Sequence, residues 1–275
     1  MKKHYVIILL LLSLTFMPAQ SQSEKETGKA ITKNLFVDIG GSYSNFQDTK
    51  YSDVREKGVG AHLRLGYNNM KEEKHFWEAG FMFNFTKDNA STHDQATSTV
   101  LYPNVYFKYL TGINKKLYVG ARVDIYDNYI RLYQNLQNNA TFATVGNYLY
   151  GSVLYQTDLS NKWRFKAIGD LALIGVQNES TGFAMSYSQK RIENGGVDYQ
   201  DPKMGDPSSY AYAEFKHPGN NLIIKTEYSF MYKNRISFAY NWEMRRFATI
   251  PGYPTTWGMH NVVFRFNIIH REKNK

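Results

Sequence analysis

The sequence contains no cysteine, and beyond residue 22 it contains no long apolar run. The lack of cysteine excludes a disulfide framework and a lipid-modified N-terminal cysteine. The lack of a long apolar run excludes a helical membrane protein, because a spanning helix needs about 20 predominantly apolar residues. No two histidines have the spacing His-x-x-x-His either, so the sequence predicts no metal site and no cofactor.

The N-terminus has the features of an export signal. Lys2 and Lys3 form a positively charged start, residues 6–17 are a short apolar run, and Ala19 and Ser21 are small residues near its end. This arrangement predicts a cleaved signal peptide over residues 1–22 and one mature domain over residues 23–275. The mature protein is therefore expected to leave the cytoplasm.

Aromatic residues are abundant, at 16% of the chain with 22 Tyr and 17 Phe, although the mean hydropathy is negative. A transmembrane β-barrel has this composition because each strand gives only half of its residues to lipid and tyrosines gather at the two interfaces. The formal net charge of +9 would suit a nucleic acid, but export argues against that partner. Basic side chains are instead expected to line a lumen or to meet lipopolysaccharide phosphates.

Apolar and polar residues alternate along successive segments of about ten residues, the period of a β-strand. The segments Leu117 to Tyr126 and Asn261 to Ile269 show this alternation most clearly. Charges fall on only one face of almost every segment, and each segment is long enough to cross the hydrocarbon when tilted. The pattern predicts an all-β protein, a transmembrane antiparallel up-and-down β-barrel, with a soluble β-sandwich as the competing fold.

Short and long connections alternate between these segments. Turns rich in turn-forming residues are predicted at 111–115, 158–162 and 233–234. Longer polar loops are predicted at 47–57, 86–98, 128–140 and 248–256. Tight periplasmic turns and long external loops are typical of outer-membrane barrels, so this asymmetry supports the same fold independently.

The number of strands depends on the segment 177–221. It contains two weaker candidate strands, Phe183 to Gln189 and Tyr210 to Lys216. If these form a protruding hairpin the barrel has ten strands, and if both cross the membrane it has twelve. Twelve is the preferred count, because the segment His217 to Asn221 has the composition of a hairpin turn between full strands.

The face opposite the apolar one carries charges of both signs in nearly equal number. A lumen of salt-bridged pairs would satisfy charges that cannot face lipid. A polar pore or ligand site is the more specific alternative for the same residues. The residues predicted to line this lumen are Arg64, Glu78, Lys108, Arg122, Asp124, Arg164, Asp170, Lys225, Glu227, Glu243, Arg245 and Arg265.

The histidines do not indicate a catalytic site. None is followed two residues later by a serine, the spacing that would place both side chains on one strand face. His93, beside Asp94 in a predicted external loop, and His260, near another such loop, are the candidates for a hydrolase acting on phospholipid, lipid A or peptide at the outer rim. That activity is the alternative; the preferred function is non-enzymatic, channel-like, ligand-binding or structural at the cell surface.

The segment 221–242, a hairpin with a return strand, and the C-terminal segment 258–266 resemble small outer-membrane β-barrel proteins of Bacteroidota whose function is unassigned. The resemblance implies an outer-membrane location, with lipid, lipopolysaccharide and the barrel assembly machinery as partners and a small solute or surface ligand left open. The chain departs from many such proteins by ending in a basic tail, His270 to Lys275. The assembly signal is therefore expected to be internal, with Phe264 and Phe266 as its aromatic residues.

Overall fold

The computed structural model describes residues 31–49, 54–71, 74–90, 97–134, 141–181, 210–216, 221–247 and 254–273. Every regular element in these ranges is a β-strand, and none of the described residues forms a helix long and apolar enough to cross a membrane. The predicted signal peptide, the candidate strand Phe183 to Gln189 and His93 lie outside the described residues.

Within the described ranges, eleven strands follow one another in chain order. Their bounds are β1 Ile31–Asp48, β2 Glu56–Lys71, β3 His75–Ala90, β4 Thr97–Gly112, β5 Leu117–Gln134, β6 Thr141–Asp158, β7 Trp163–Thr181, β8 Tyr210–Lys216, β9 Leu222–Tyr232, β10 Ile236–Phe247 and β11 Thr255–Lys273.

The strands close into a barrel in which nearly all neighbours in space are neighbours in sequence. Every pairing is antiparallel, and the seam is closed by β1 against β11, from Ile31 opposite Lys273 to Asp48 opposite Thr255. On the far side β6 pairs with β7 over almost its full length. Closure leaves no free edge along the long strands, which satisfies the backbone without water. The predicted antiparallel up-and-down barrel is confirmed.

The barrel has ten strand positions rather than the preferred twelve, because β8 and β9 occupy one position together. β8 pairs with the C-terminal part of β7, where Lys216 lies opposite Ile174. β9 pairs with the N-terminal part of β7, where Ile224 lies opposite Leu171. Both are antiparallel to β7, so they run in the same direction. β8 and β9 therefore do not form a hairpin with each other, as the preferred count of twelve strands required. Residues 217–220 of the predicted turn lie outside the described residues.

Most strands are much longer than the predicted ten residues. β5 has 18 residues and ends at Gln134, well inside the stretch 128–140 that was predicted to be a loop. A strand of 18 residues is about 60 Å long at about 3.3 Å per residue, roughly twice the thickness of a hydrocarbon core. The strands therefore extend beyond the part whose outward side chains are apolar. In the extended part the outward positions are polar, as at Lys57, Lys87 and Arg246.

The connections at one end of the barrel are short, and we call this the short-turn end; the opposite end is the long-connection end. At the short-turn end Lys233 and Asn234 join β9 to β10 with φ values of 48° and 56°. Positive φ at both central residues is the type I′ geometry, whose twist matches that of the flanking strands. A backbone hydrogen bond from Arg235 N to Tyr232 O, 3.0 Å long, closes the turn.

The outward face of the barrel is apolar and ends in aromatic pairs at the short-turn end. In the middle of this face Leu63 is 45% exposed and Phe81 is 42% exposed. Nearer the short-turn end the rings of Tyr67 and Trp77 lie 5.1 Å apart, and their counterparts on β7 and β9, Trp163 and Tyr232, are separated by 5.0 Å. An apolar band flanked by amphipathic aromatic side chains is the surface that a bilayer requires of a barrel.

Candidate functional site in the charged barrel interior

The predicted lumen residues form the chemical centre of the barrel. Eleven of the twelve are exposed by 7% or less: Arg64, Glu78, Lys108, Arg122, Asp124, Asp170, Lys225, Glu227, Glu243, Arg245 and Arg265. The twelfth, Arg164, lies at the short-turn end with 35% of its side chain exposed and pairs with Asp158 at 2.7 Å. Alternation along each strand turns these side chains inward, away from the apolar outer face.

A ring of four charges, which we call the lower quartet, joins the two sides of the seam. Asp38 accepts from Arg64 Nε at 2.6 Å and from Arg265 Nε at 2.7 Å. Glu227 lies across the interior, 2.8 Å from Arg64 Nη2 and 3.1 Å from Arg265 Nη2. Asp38 is directly opposite Arg64 on β2 and Arg265 on β11, so strand register makes two of the contacts. The contact from β2 to β9 connects strands that are not neighbours and must cross the interior.

The aromatic ring of Phe36 supports the lower quartet and lies against a glycine on the next strand. The guanidinium carbon of Arg265 is 4.3 Å from the centre of this ring. Phe36 pairs with Gly66, where an added Cβ would come within 2.3 Å of the ring. Gly66 therefore provides the space in which Phe36 packs beneath the two guanidinium groups.

Gly66→Ala is expected to lower the free energy of unfolding by about 1–3 kcal/mol, the usual cost of overpacking, because the ring of Phe36 must move. Denaturant unfolding of the purified barrel in micelles would measure this cost. The matched control is Gly169→Ala, since nothing lies within 4 Å of a Cβ at Gly169. If the two variants lose the same free energy of unfolding, the packing of Phe36 does not require a glycine at residue 66.

A second group of charges, the central network, fills the middle of the interior. Arg122 donates from Nε to Asp124 at 2.7 Å and from Nη1 to Asp170 at 3.1 Å. Lys108 lies 2.9 Å from Asp170, and Lys225 lies 2.7 Å from Asp124. Each carboxylate is thus shared between two cations. Such pairing is what allows ionised groups to remain in a space from which bulk water is excluded.

A β-bulge in β5 adds Asp127 to the central network. The register shifts between Asp124 and Asp127, and the two residues between them, Ile125 and Tyr126, are both exposed on the outer face. Both aspartates therefore face inward although they are three residues apart, and Asp127 forms an ion pair with Arg245. Strict alternation assigns Asp127 to the outer face, so a period-two reading of the sequence misses it.

An aromatic layer lies above the central network, toward the long-connection end. Tyr129 stacks on Trp257 at a centroid distance of 4.8 Å and on Phe46 at 5.8 Å. Tyr102 meets Trp257 edge to face at 5.2 Å, and its hydroxyl donates to Asp127 at 2.9 Å. Phe46 on β1 and Tyr129 on β5 belong to distant strands, so their rings meet across the interior. Tyrosines were expected at the interfaces, but several instead fill the barrel because their hydroxyl groups find buried partners.

Arg131 lies buried in the interior at the long-connection end. The sequence did not predict it as an interior residue, because the stretch 128–140 was predicted to be a loop. It is 0% exposed and forms ion pairs with Glu56 and with Asp88, the latter at 2.9 Å. Its guanidinium carbon lies 4.0 Å from the centre of the Phe46 ring. The charge of Arg131, on β5, is therefore compensated by carboxylates of β2 and β3, which lie on the other side of β4.

The space left at the centre of this interior is small. A cavity of about 40 Å³ lies between the lower quartet and the central network, bordered by Arg64, Glu78 and Lys225 among others. That volume suits one or a few water molecules hydrogen-bonded to the surrounding polar groups. It is too small for a lipid acyl chain or a peptide, and no group of described residues could hold a metal ion.

His260, the described candidate for a catalytic base, lies on the outer face of the barrel. Its Nδ1 is 2.6 Å from the hydroxyl group of Tyr240, and its ring centre is 5.8 Å from that of Tyr43. Within the described residues it has no carboxylate or serine partner. The arrangement is that of an interfacial aromatic cluster. Phe264 and Phe266 share this outer face of β11, with exposures of 53% and 44%; their role in assembly stays a prediction.

No protein-family model matches the chain, and no curated protein matches it. Among solved structures, the outer membrane protease OmpT from Escherichia coli is 5% identical with a TM-score of 0.47, covering 91% of this chain and 100% of that one. The translocator domain of the autotransporter NalP from Neisseria meningitidis is 9% identical with a TM-score of 0.45, covering 95% and 94%. The outer membrane protein OprG from Pseudomonas aeruginosa is 11% identical with a TM-score of 0.28, covering 90% and 97%. At these values no activity is carried over to this chain, and the barrel fold rests on its own strand pairing.

Proposed function

We propose that the protein is an outer-membrane β-barrel with a filled, non-conducting interior that serves a non-enzymatic role at the cell surface, structural or ligand-binding. In this proposal the short-turn end faces the periplasm and the long-connection end faces the exterior. Lipid and lipopolysaccharide surround the apolar band, and the barrel assembly machinery inserts the chain.

The observation that carries the proposal is that ion pairs cross the interior between strands that are not neighbours. Arg64 of β2 reaches Glu227 of β9 at 2.8 Å, and Lys225 of β9 reaches Asp124 of β5 at 2.7 Å. All four side chains are exposed by 8% or less. An open pore keeps its lining charges hydrated and apart, whereas these charges satisfy one another, and the aromatic layer lies above them. The favoured state is therefore closed.

No group of described residues supports the hydrolase alternative. A hydrolytic site needs a nucleophile or activated water, a base within hydrogen-bond reach of it and a group that orients the base. Of these groups, His260 could supply only the base. Its ring lies on the outer face, where it is hydrogen-bonded to the hydroxyl group of Tyr240. The non-enzymatic role is accordingly the one we adopt.

Planar-bilayer recording is expected to show no steady conductance from the wild-type protein, because paired charges and stacked rings occupy the lumen. Insertion must be shown in the same preparation by heat-modifiable mobility on a gel. The matched variant carries Tyr129→Gly and Trp257→Gly, which removes two rings that stack at 4.8 Å and is expected to introduce small, frequent openings. Steady conductance steps from the inserted wild-type protein would refute the closed interior.

A further inference from the structure

A second cavity, the short-turn vestibule, lies where the interior meets the short-turn end. Its volume is about 50 Å³, and its lining includes Asn68, Phe76, Gln156, Arg164, Lys166 and Arg265. These residues come from the short-turn ends of β2, β3, β6, β7 and β11. No described residue that lines it is an aspartate or a glutamate. The charged residues that border the vestibule are therefore all cations, unlike those of the central cavity, whose walls carry both signs.

Lys166 is the unusual member of this lining. Its side chain is buried, with 5% exposure, and its ammonium lies 4.6 Å from the centre of the Phe76 ring. Among the described residues it has no hydrogen-bond or ion-pair partner, whereas Lys108 and Lys225 are each held by carboxylates. Beyond this cation–π contact the charge of Lys166 interacts electrostatically with Asp38, but that carboxylate already accepts hydrogen bonds from Arg64 and Arg265. The ammonium is therefore incompletely compensated, because burying a charge is costly unless it is paired. Lys166 is thus a cation whose best partner is an anion from outside the chain.

The other two cations differ in how far their charge is already neutralised. Arg265 belongs to the lower quartet and is satisfied there by Asp38 and Glu227. Arg164 uses its Nε for Asp158, a carboxylate that is 66% exposed, so the pair is well solvated and weak. The two Nη groups of Arg164 can still donate to a ligand. Asn68 accepts from Asn34 at 2.8 Å through its Oδ1, which keeps its amide NH₂ available as a further donor.

We propose that the short-turn vestibule binds a small oxyanion of the phosphate type, with Lys166 and Arg164 as its cationic contacts and Asn68 as a neutral donor. Charge-assisted hydrogen bonds of this kind are stronger than neutral ones, and a guanidinium group matches the geometry of phosphate oxygens. The volume admits one such group and excludes a folded partner. The site depends on the proposed function only for the compartment that supplies the anion, which is the periplasm or the adjoining leaflet.

The test uses the full-length mature barrel in a non-ionic detergent, with inorganic phosphate as the probe. Calorimetric titration at constant ionic strength is expected to show binding that chloride does not reproduce. Lys166→Met keeps an unbranched side chain against Phe76 and removes the charge, so the phosphate affinity is expected to fall about tenfold or more, the loss of one charge-assisted hydrogen bond. The matched control, Lys116→Met, changes an exposed turn lysine at the same end and is expected to leave the affinity unchanged.

Denaturant unfolding separates a binding role from a structural one. Without phosphate, Lys166→Met is expected to unfold at the same or a higher denaturant concentration than the wild type, because it removes an unpaired buried charge. With phosphate, only the wild type and Lys116→Met should gain stability, as expected when a ligand binds only the folded state. Equal phosphate binding by wild type and Lys166→Met, or no phosphate binding by the wild type, would overturn the proposal. Conductance of the wild-type protein would refute the closed interior and leave this result unaffected.

The same titration identifies the source of the oxyanion. A short-chain phosphatidylglycerol added to the micelles should compete with inorganic phosphate if a lipid headgroup reaches Lys166. If only the free ion enters, the apparent phosphate affinity should be the same with and without the lipid. Both outcomes retain the site and assign its ligand, and they differ in whether the site takes a lipid phosphate or a soluble one.

Discussion

Replacing Asp38 by asparagine is expected to lower the free energy of unfolding by about 3–5 kcal/mol, the cost of removing one partner from a buried ion pair. Asp38 is 0% exposed and accepts hydrogen bonds from both Arg64 and Arg265. Asparagine has nearly the same shape, but it leaves two buried guanidinium groups with Glu227 as their one remaining anion in the quartet. Denaturant unfolding in micelles measures the loss as a shift in midpoint at constant slope.

Asp158→Asn is the matched control for this prediction, because it makes the same chemical change in an ion pair whose carboxylate is 66% exposed. Its expected cost is about 0–1 kcal/mol, as for other surface pairs. Adding Arg265→Gln to Asp38→Asn leaves Arg64 paired with Glu227 and should restore part of the stability, with a coupling of about 0.5–3 kcal/mol. If Asp38→Asn costs no more than Asp158→Asn, the quartet does not hold the seam between β1 and β11.

Replacing Val123 by arginine is expected to cost about 2–4 kcal/mol if its face contacts the bilayer near the midplane. Val123 is 38% exposed and lies between Phe107 and Leu149 in the register of the neighbouring strands, so the surrounding outward surface is apolar. An arginine there must extend to a distant interface or remain in hydrocarbon. Folding into lipid vesicles followed by denaturant unfolding measures this cost directly.

The control substitution is Ile113→Arg in the turn that precedes the same strand. Ile113 is 64% exposed, and at a turn the new charge can remain in water, so a cost of about 0–1 kcal/mol is expected. Gly120 cannot serve as an inward control on β5, because an added Cβ would lie 2.1 Å from Tyr109 O. Similar costs at Val123 and Ile113 in vesicles would contradict the assignment of the apolar face to lipid.

The two predictions test opposite faces of the barrel wall, the inner face at Asp38 on β1 and the outer face at Val123 on β5. Outside, the wall is apolar, which is the surface that contact with lipid requires. Inside, the charges replace the apolar core of a soluble domain, and their stability depends on pairing rather than on hydrophobic burial. A barrel of this kind is therefore expected to tolerate apolar exchanges on its outer face better than the loss of a single interior charge.

The sequence by itself determined the faces of the strands and the class of fold. Period-two alternation requires only local sterics, since successive side chains of a strand point to opposite faces. It placed Arg64, Glu227 and Arg265 on the inner face, where these residues are buried in the structure. The turn at Lys233 and Asn234 was equally local, because two residues set its geometry.

Only the tertiary structure decided which interior residues meet, how many strands close the barrel and where the alternation breaks. Contacts such as Arg64 with Glu227 join residues 163 positions apart, and they depend on the register around the whole barrel, which no local pattern encodes. The bulge that turns Asp127 inward arises in the pairing of β5 with its neighbours. β8 and β9 share one strand position because both pair with β7, a choice that depends on hydrogen bonds between strands rather than on the residues of either strand alone.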